Sequence, residues 1–385
     1  MLAEAVRWVV LAGAVLPLAY DLVAIAAVRR FSRRRPPGGA ATPPVSLLKP
    51  VRGLDRDSYG NFASFCRQDY PEYEILFAVA DDDDPAVPVI QRVIAEFPGR
   101  PIRLLVGAPQ LGESSKVNKL CRLAQEARHD LLVINDSDIR VGPDYLRAVV
   151  GPFEDPQVGL VTCLYTGLRD GSLGAALESL AIATDFAAAV LVAWWIEGVR
   201  FALGATMAVP RARLAEIGGF EALVDYCAED FELGARIASG GHRVELAPYV
   251  VQSECVTTTG AFVRHALRWA ITRRHCRPGG HAGLVVTQGL PWAVAAAAVA
   301  PSVAVAVAYP AAYLALRLAM AREVGVRGLG DRGLLDRWWL VPVYDAIACV
   351  IWGVSLFRNR IEWRGRVFHL RRGRLVPVAG RRDGE

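Results

Sequence analysis

Hydrophobic positions follow three different rhythms along the chain. Residues 6–28 are one nearly unbroken apolar run, opened by Arg7 and interrupted by Asp21. About 20 such residues suffice to span a bilayer, and the acid within the run favours a retained anchor over a cleaved signal peptide. From Val45 the rhythm shortens. Apolar strand-length runs at residues 45–50, 73–80, 102–106, 131–134 and 158–164 alternate with helical patterns at 54–68, 86–97 and 116–128 and from Pro143. Repeated β-α units of this length predict an open, mainly parallel sheet. Ligands on such sheets bind beyond the carboxyl ends of the strands. After residue 260 long apolar runs return. Residues 284–321 overshoot a ~30 Å hydrocarbon core almost twofold at ~1.5 Å per residue, so two helices turning near Pro301–Ser302 are expected. Residues 338–357 form a further run containing Pro342 and Asp345, which reads as a re-entrant or interfacial helix.

Between these regimes lie less regular stretches. Residues 172–195 are apolar and Ala-rich but carry Glu178 and Asp185, which favours a buried or membrane-surface helix over a span. Residues 201–209 read as a strand with a Gly-containing bend, 225–239 as a helix and 243–249 as a strand. Residues 261–274 pattern as a basic amphipathic helix suited to a membrane interface. The resulting organisation is an anchor at 1–30, a linker at 31–44, an α/β domain at 45–260, an interface helix at 261–280, membrane helices at 281–357 and a basic tail at 358–385.

Composition agrees with this layout. Of 385 residues, 53% are hydrophobic, more than a purely soluble chain needs. The net charge of +5 is modest, but arginines cluster at residues 29–35 and 358–382, each beside an apolar run. That placement marks cytoplasmic juxtamembrane segments and gives no nucleic-acid patch. The Arg- and Ala-rich style points to a bacterial inner membrane. Seven scattered cysteines without a C-x-x-C pair imply a reduced environment. The chain's three lysines, Lys49, Lys116 and Lys119, all fall in the expected α/β domain.

Candidate chemistry gathers at the carboxyl edge of the expected sheet. DLLVINDSDIR (residues 130–140) runs a buried strand straight into Asp136 and Asp138. If the strand continues, two acids two positions apart face the same way. Such a pair of hard carboxylates can hold one Mg2+ or Mn2+, and the metal can hold a diphosphate. A solvated turn explains a lone D-x-D equally simply. The acidic run at residues 81–84 occupies the same edge, while Glu229 and Asp230 open a downstream helix and Arg268-Trp269 lie on the amphipathic one.

This order of motifs resembles the membrane-bound, inverting GT-A (Rossmann-like) glycosyltransferases of the ceramide glucosyltransferase type and their bacterial hopanoid-associated relatives. SLLKPVRG (46–53), DDPA (83–86), DSDIRVGPDYL (136–146), GLVTCLY (159–165), AEDFELG (228–234) and WRGR (363–366) carry the resemblance. It implies that Asp84 contacts the nucleotide, Asp136 opens the metal motif and Asp138 is the metal ligand. It further implies a nucleotide-side role for Lys49. Lys116, just upstream on a helix start, is a candidate diphosphate contact. Asp230 matches the general base, the single carboxylate an inverting transfer needs to take the acceptor hydroxyl's proton. His265, Arg268 and Trp269 match a Gln/Arg-x-x-Arg-Trp motif in which His265 departs from the usual first residue. Arg268 is then a diphosphate contact, with His265 and Trp269 closing the acceptor side.

The implied activity is transfer of a hexose from a UDP-sugar to a lipid hydroxyl on the cytoplasmic face of the membrane, with a divalent metal as cofactor. The partners are then the UDP-sugar donor, a lipid acceptor and the bilayer. The resemblance offers a hopanoid polyol such as bacteriohopanetetrol, or ceramide, as acceptors, with N-acetylglucosamine or glucose as the sugar. A processive polysaccharide synthase shares the motif order but needs more spans. A scaffold that binds UDP-sugar without turnover would be expected to lack the acids present here.

Overall fold

Every position of β1 (Val45–Pro50), β2 (Tyr73–Val79) and β4 (Leu131–Ile134) is buried, as expected of parallel strands covered on both faces. In the computed structural model these strands pair in parallel, with β3 (Ile102–Val106) added beyond β2. β5 (Ile139–Arg140), β6 (Val158–Leu168), β7 (Met207–Pro210) and β8 (Arg243–Glu254) complete an eight-stranded sheet of order β3-β2-β1-β4-β7-β6-β8-β5. β7 runs antiparallel to both β4 and β6, and β5 antiparallel to β8. The expected α/β, mainly parallel sheet is therefore present. Its core includes Leu47, Phe62, Phe77, Ile90, Val133 and Val161. The structure describes residues 1–35, 41–168, 170–363 and 365–378. Part of the expected linker (36–40), Arg364 and the end of the tail lie outside these residues.

The chain divides into two compact units. An α/β unit holds Arg34–Tyr165, Glu197–Glu254 and Glu362–Glu385, and a helical unit holds Met1–Arg33, Thr166–Ile196 and Cys255–Ile361. Residues 166–196 and 255–260, expected within the α/β domain, group with the apolar helices. The division also changes the reading of the basic tail. β9 (Arg360–Trp363), β10 (Arg366–Arg371) and β11 (Arg374–Pro377) form a second, three-stranded sheet. Arginine content had hidden an alternation in which Phe368, Leu370 and Leu375 are buried.

Among the described residues of the helical unit, Leu2–Phe31, Leu173–Ile196, Val303–Gly328 and Trp338–Phe357 are long and apolar enough to cross a membrane. The last was expected to be re-entrant, yet it forms helix over a spanning length. Each of the four donates one charged residue to a single buried cluster. Arg317 lies 2.7 Å from Asp345, 3.1 Å from Asp185 and 3.8 Å from Asp21. A π-helical segment at Ile182–Ala187 interrupts the second helix beside Asp185, and the carbonyl of Thr184 accepts from Arg317 at 3.3 Å. Tyr344 donates to Asp185 at 2.6 Å, and Tyr313 donates to Asp345.

Candidate active site

The site begins with a strand that stops early. β4 ends at Ile134, and Asn135–Asp138 form a turn held by Ile139 N–H on the Asp136 carbonyl at 3.4 Å. Asp136 and Asp138 therefore do not lie on a continuing strand, as their two-residue spacing suggested, and they take different partners. The carboxylate of Asp136 points to Lys116, 2.5 Å from its Nζ. Asp138 accepts from Ser253 Oγ of β8 at 2.7 Å. Burial, with the nearby Asp136 carboxylate, pushes the Asp138 carboxyl up to about 7.

Lys116 is the hub of the cluster. Ser114 caps its helix (Ser115–Glu126) by accepting from Val117 N–H, which fixes Lys116 in the first turn. Its ammonium reaches Glu229 Oε1 at 2.5 Å as well as Asp136. Burial alone would lower this lysine; the carboxylates of Asp136, Glu229 and Asp230 outweigh it and hold the ammonium above its ordinary value. Its side chain is 16% exposed and that of Asp136 39%, so the cluster is open to a ligand from one side.

Glu229 and Asp230 open the helix Glu229–Ser239, where its free amides and dipole favour carboxylates. Asp230 accepts from its neighbour Phe231 N–H at 2.8 Å and from Gly204 N–H at 2.8 Å. Burial, reinforced by Glu229 and opposed by Lys116, pushes Asp230 up to about 6. Gly204 sits in the tight turn between Leu203 and Thr206. A methyl group there would stand 3.0 Å from Asp136 Oδ2, 3.2 Å from Asp230 Oδ2 and 3.5 Å from Lys116 Nζ. Only glycine leaves that space open, so Gly204 is a site residue that motif reading missed. The bend in FALGATMAV was its only signal. Asn135, which motif reading left without a role, ties the two turns together. It donates to the Ala205 carbonyl at 2.7 Å and to Tyr145 at 2.9 Å.

Other expected residues fall in different places. Lys49 is fully buried, with Nζ on the Asp136 carbonyl at 2.7 Å and 4.0 Å from the Phe65 ring centroid. Burial, opposed by Asp138 and Asp136, lowers it to about 7. A direct nucleotide contact does not fit this burial; Lys49 instead supports the turn from beneath. Asp84 accepts from Gly53 N–H at 3.0 Å and Ala86 N–H at 2.9 Å, closing the loops after β1 and β2. His265, Arg268 and Trp269 lie in the helical unit, on the helix Thr259–Cys276. His265 pairs with the buried Glu178 at 2.6 Å, and its ring centroid lies 4.3 Å from that of Trp269. Glu178 also accepts from Val256 N–H at 2.5 Å. The acid that had argued against a span is thus the partner of the residue that departs from the motif.

Among the described residues no group of three or more His, Cys, Asp or Glu is placed to hold a metal ion. The Asp136/Asp138 donor set is nonetheless of the right kind for Mg2+ or Mn2+, which proteins often bind through one or two carboxylates while substrate phosphates supply the rest. It fits a metal that arrives with a diphosphate.

A parallel-sheet domain with acids at the carboxyl edge, in one chain with long apolar helices, defines a membrane glycosyltransferase of the GT-A class. Residues 9–376 match glycosyl transferase family 21, and the chain belongs to that family. It is 28% identical to ceramide glucosyltransferase 1 of Caenorhabditis elegans over 230 residues, 59% of this chain and 49% of that protein. Ceramide glucosyltransferase 3 of the same organism is 27% identical over 237 residues, 61% and 51% of the two chains. The chain thus spans about half the length of these curated relatives. Among solved structures, a mannosyltransferase from Pyrobaculum calidifontis, in complex with GDP-Man and Mn2+, shares the fold. Its TM-score is 0.55 at 17% identity, over 91% of this chain and 99% of that one.

Proposed function

We propose that the protein transfers a glucosyl group from UDP-glucose to a hydroxyl of a ceramide-type membrane lipid, with inversion at the anomeric carbon. The observation that carries this reading is the convergence of Asp136, Lys116, Glu229 and Asp230 around Gly204 at the carboxyl edge of the sheet. The names of the nematode relatives supply the choice of sugar and lipid.

In this mechanism the acceptor oxygen attacks the anomeric carbon while Asp230 takes its proton and the bond to the diphosphate breaks. A carboxylate raised to about 6 is still ionised at neutral pH and is a stronger base than an ordinary aspartate. Lys116 holds positive charge beside the departing diphosphate. Glu229 and Gly204 N–H keep Lys116 and Asp230 in place. A divalent ion held by Asp136 and Asp138 would draw negative charge from the leaving group when bound. Inversion needs no covalent intermediate, so the cluster requires no nucleophilic side chain.

Chain connectivity supports a one-sided arrangement. Residues on both sides of Leu173–Ile196 pair in one sheet, Val161 with Ala208, so that helix does not carry the chain across a bilayer. Residues after Ile361 belong to the same α/β unit, which requires an even number of crossings between Cys255 and Ile361. The basic clusters beside the apolar runs support a cytoplasmic side for this unit.

The test is to incubate membranes containing the protein with labelled UDP-glucose or UDP-N-acetylglucosamine, and with ceramide or a hopanoid polyol, and to identify the product by mass. Glucosylceramide is the expected product. N-acetylglucosaminyl hopanoid would reassign both substrates, a polymer would indicate a processive synthase, and donor binding without turnover would indicate a scaffold.

A further inference from the structure

The second sheet shapes the site as well as closing the chain. A shallow cleft, open to solvent, is lined by Lys116 and Asp136 together with Arg52, Trp363, Arg366 and Phe368. Three of these six come from β9 and β10. The opposite end of the same sheet is fastened beside the candidate base. Leu375 N–H donates to the Asp225 carbonyl at 2.7 Å, and Cys227 N–H donates to the Gly373 carbonyl at 3.0 Å. The Arg374 guanidinium lies over the Tyr226 ring at 5.2 Å. Residues 225–227, expected to be helical, are instead a turn, a single antiparallel bridge from Tyr226 to Arg374 and a bend, and they lead into Glu229 and Asp230.

Arg366 is the cation this sheet brings to the cleft. Its side chain is 56% exposed, pairs with Glu113 at 2.8 Å and lies 5.0 Å from the Phe368 ring centroid. An exposed pair of this kind contributes little to stability, so the guanidinium can exchange Glu113 for a stronger anion. A diphosphate offers bidentate geometry and a higher charge. Lys116, by contrast, is already held between two carboxylates.

We propose that Arg366 is a donor-binding residue that leaves Glu113 to bind the diphosphate of the sugar nucleotide, with the half-buried Trp363 as an aromatic wall for the nucleoside and the buried Phe368 supporting Arg366 from behind. This rests on the reading of the cleft as the sugar-nucleotide site. Glu113 then acts as a built-in competitor that holds Arg366 in position while the cleft is empty.

Full-length protein in lipid nanodiscs, titrated with UDP and with UDP-glucose, tests it. Arg366→Ala is expected to weaken both about tenfold or more and to raise the donor KM while leaving the lipid KM unchanged. Arg366→Lys should recover only part of the loss, because it keeps the charge without the fork. Glu113→Gln should bind UDP as tightly as the wild type or more tightly. Equal affinity in wild type and Arg366→Ala overturns the proposal while leaving the glycosyltransferase reading intact. A loss in Glu113→Gln as large as that in Arg366→Ala overturns it too, since the pair would then be only a latch. A wild-type protein that binds neither UDP nor UDP-glucose overturns both.

Discussion

Each unit of this protein contains one cation among three carboxylates, and the two clusters differ mainly in access. In the helical unit Arg317 is surrounded by Asp21, Asp185 and Asp345, and its side chain is 8% exposed. A backbone carbonyl also accepts from Arg317, and tyrosine hydroxyls donate to Asp185 and Asp345. In the α/β unit Lys116 is surrounded by Asp136, Glu229 and Asp230, but a glycine keeps the centre clear and a cleft opens onto it. An arginine that is always charged and makes several directed hydrogen bonds suits a permanent joint between helices. A lysine with one compact ammonium can change partners when a substrate enters. Charge clustering alone therefore does not mark the reactive centre. Open space next to it is what sets the proposed centre apart.

The contrast can be tested from its strongest consequence to its weakest. Arg317→Leu leaves three acids without their cation and should cost about 3–5 kcal/mol, seen as loss of folded protein after detergent extraction. Neutralising Asp21, Asp185 and Asp345 to Asn in the same chain should restore much of that. A folded neutral variant that no longer transfers sugar would give the helical cluster a chemical role and break the contrast. Asp138→Ala should raise the Mn2+ or Mg2+ concentration needed for half-maximal activity about tenfold or more; an unchanged requirement would leave Asp138 only as the partner of Ser253. Gly204→Ala should lower kcat about tenfold by crowding Asp136 and Asp230, with the thermal midpoint nearly unchanged.

The smallest expected effect is on pH. Asp230 must be ionised to act as a base, so kcat/KM should rise with pH through about 6. Lys116→Met removes the charge that opposes protonation of Asp230. It should move that acid limb upward by about one pH unit, so activity falls more at pH 6 than at pH 8. A limb that stays in place would mean that Lys116 does not act on the base.

The sheet was legible because its strands are buried on both faces and read as unbroken apolar runs, as VSLLKP and YEILFAV show. The acids were legible because the strands deliver them to one edge. Their partners were not. Lys116 meets Glu229 across 113 positions of sequence, and no local pattern encodes that contact. The equivalence of Asp136 and Asp138 failed because the period-2 rule holds only while the strand lasts, and β4 stops at Ile134. Gly204 was hidden because its role is the absence of a side chain. The last sheet was hidden by arginines at its exposed positions, which read as a charged tail until the buried Phe368 and Leu370 are seen between them.

The central claim is that the open cluster carries the chemistry through Asp230, and Asp230→Asn tests it most directly. With labelled UDP-glucose and lipid acceptor, this variant should form no labelled lipid above background, a loss of about 10²–10⁴-fold, while binding UDP-glucose as the wild type does. Turnover within twofold of wild type would contradict the account.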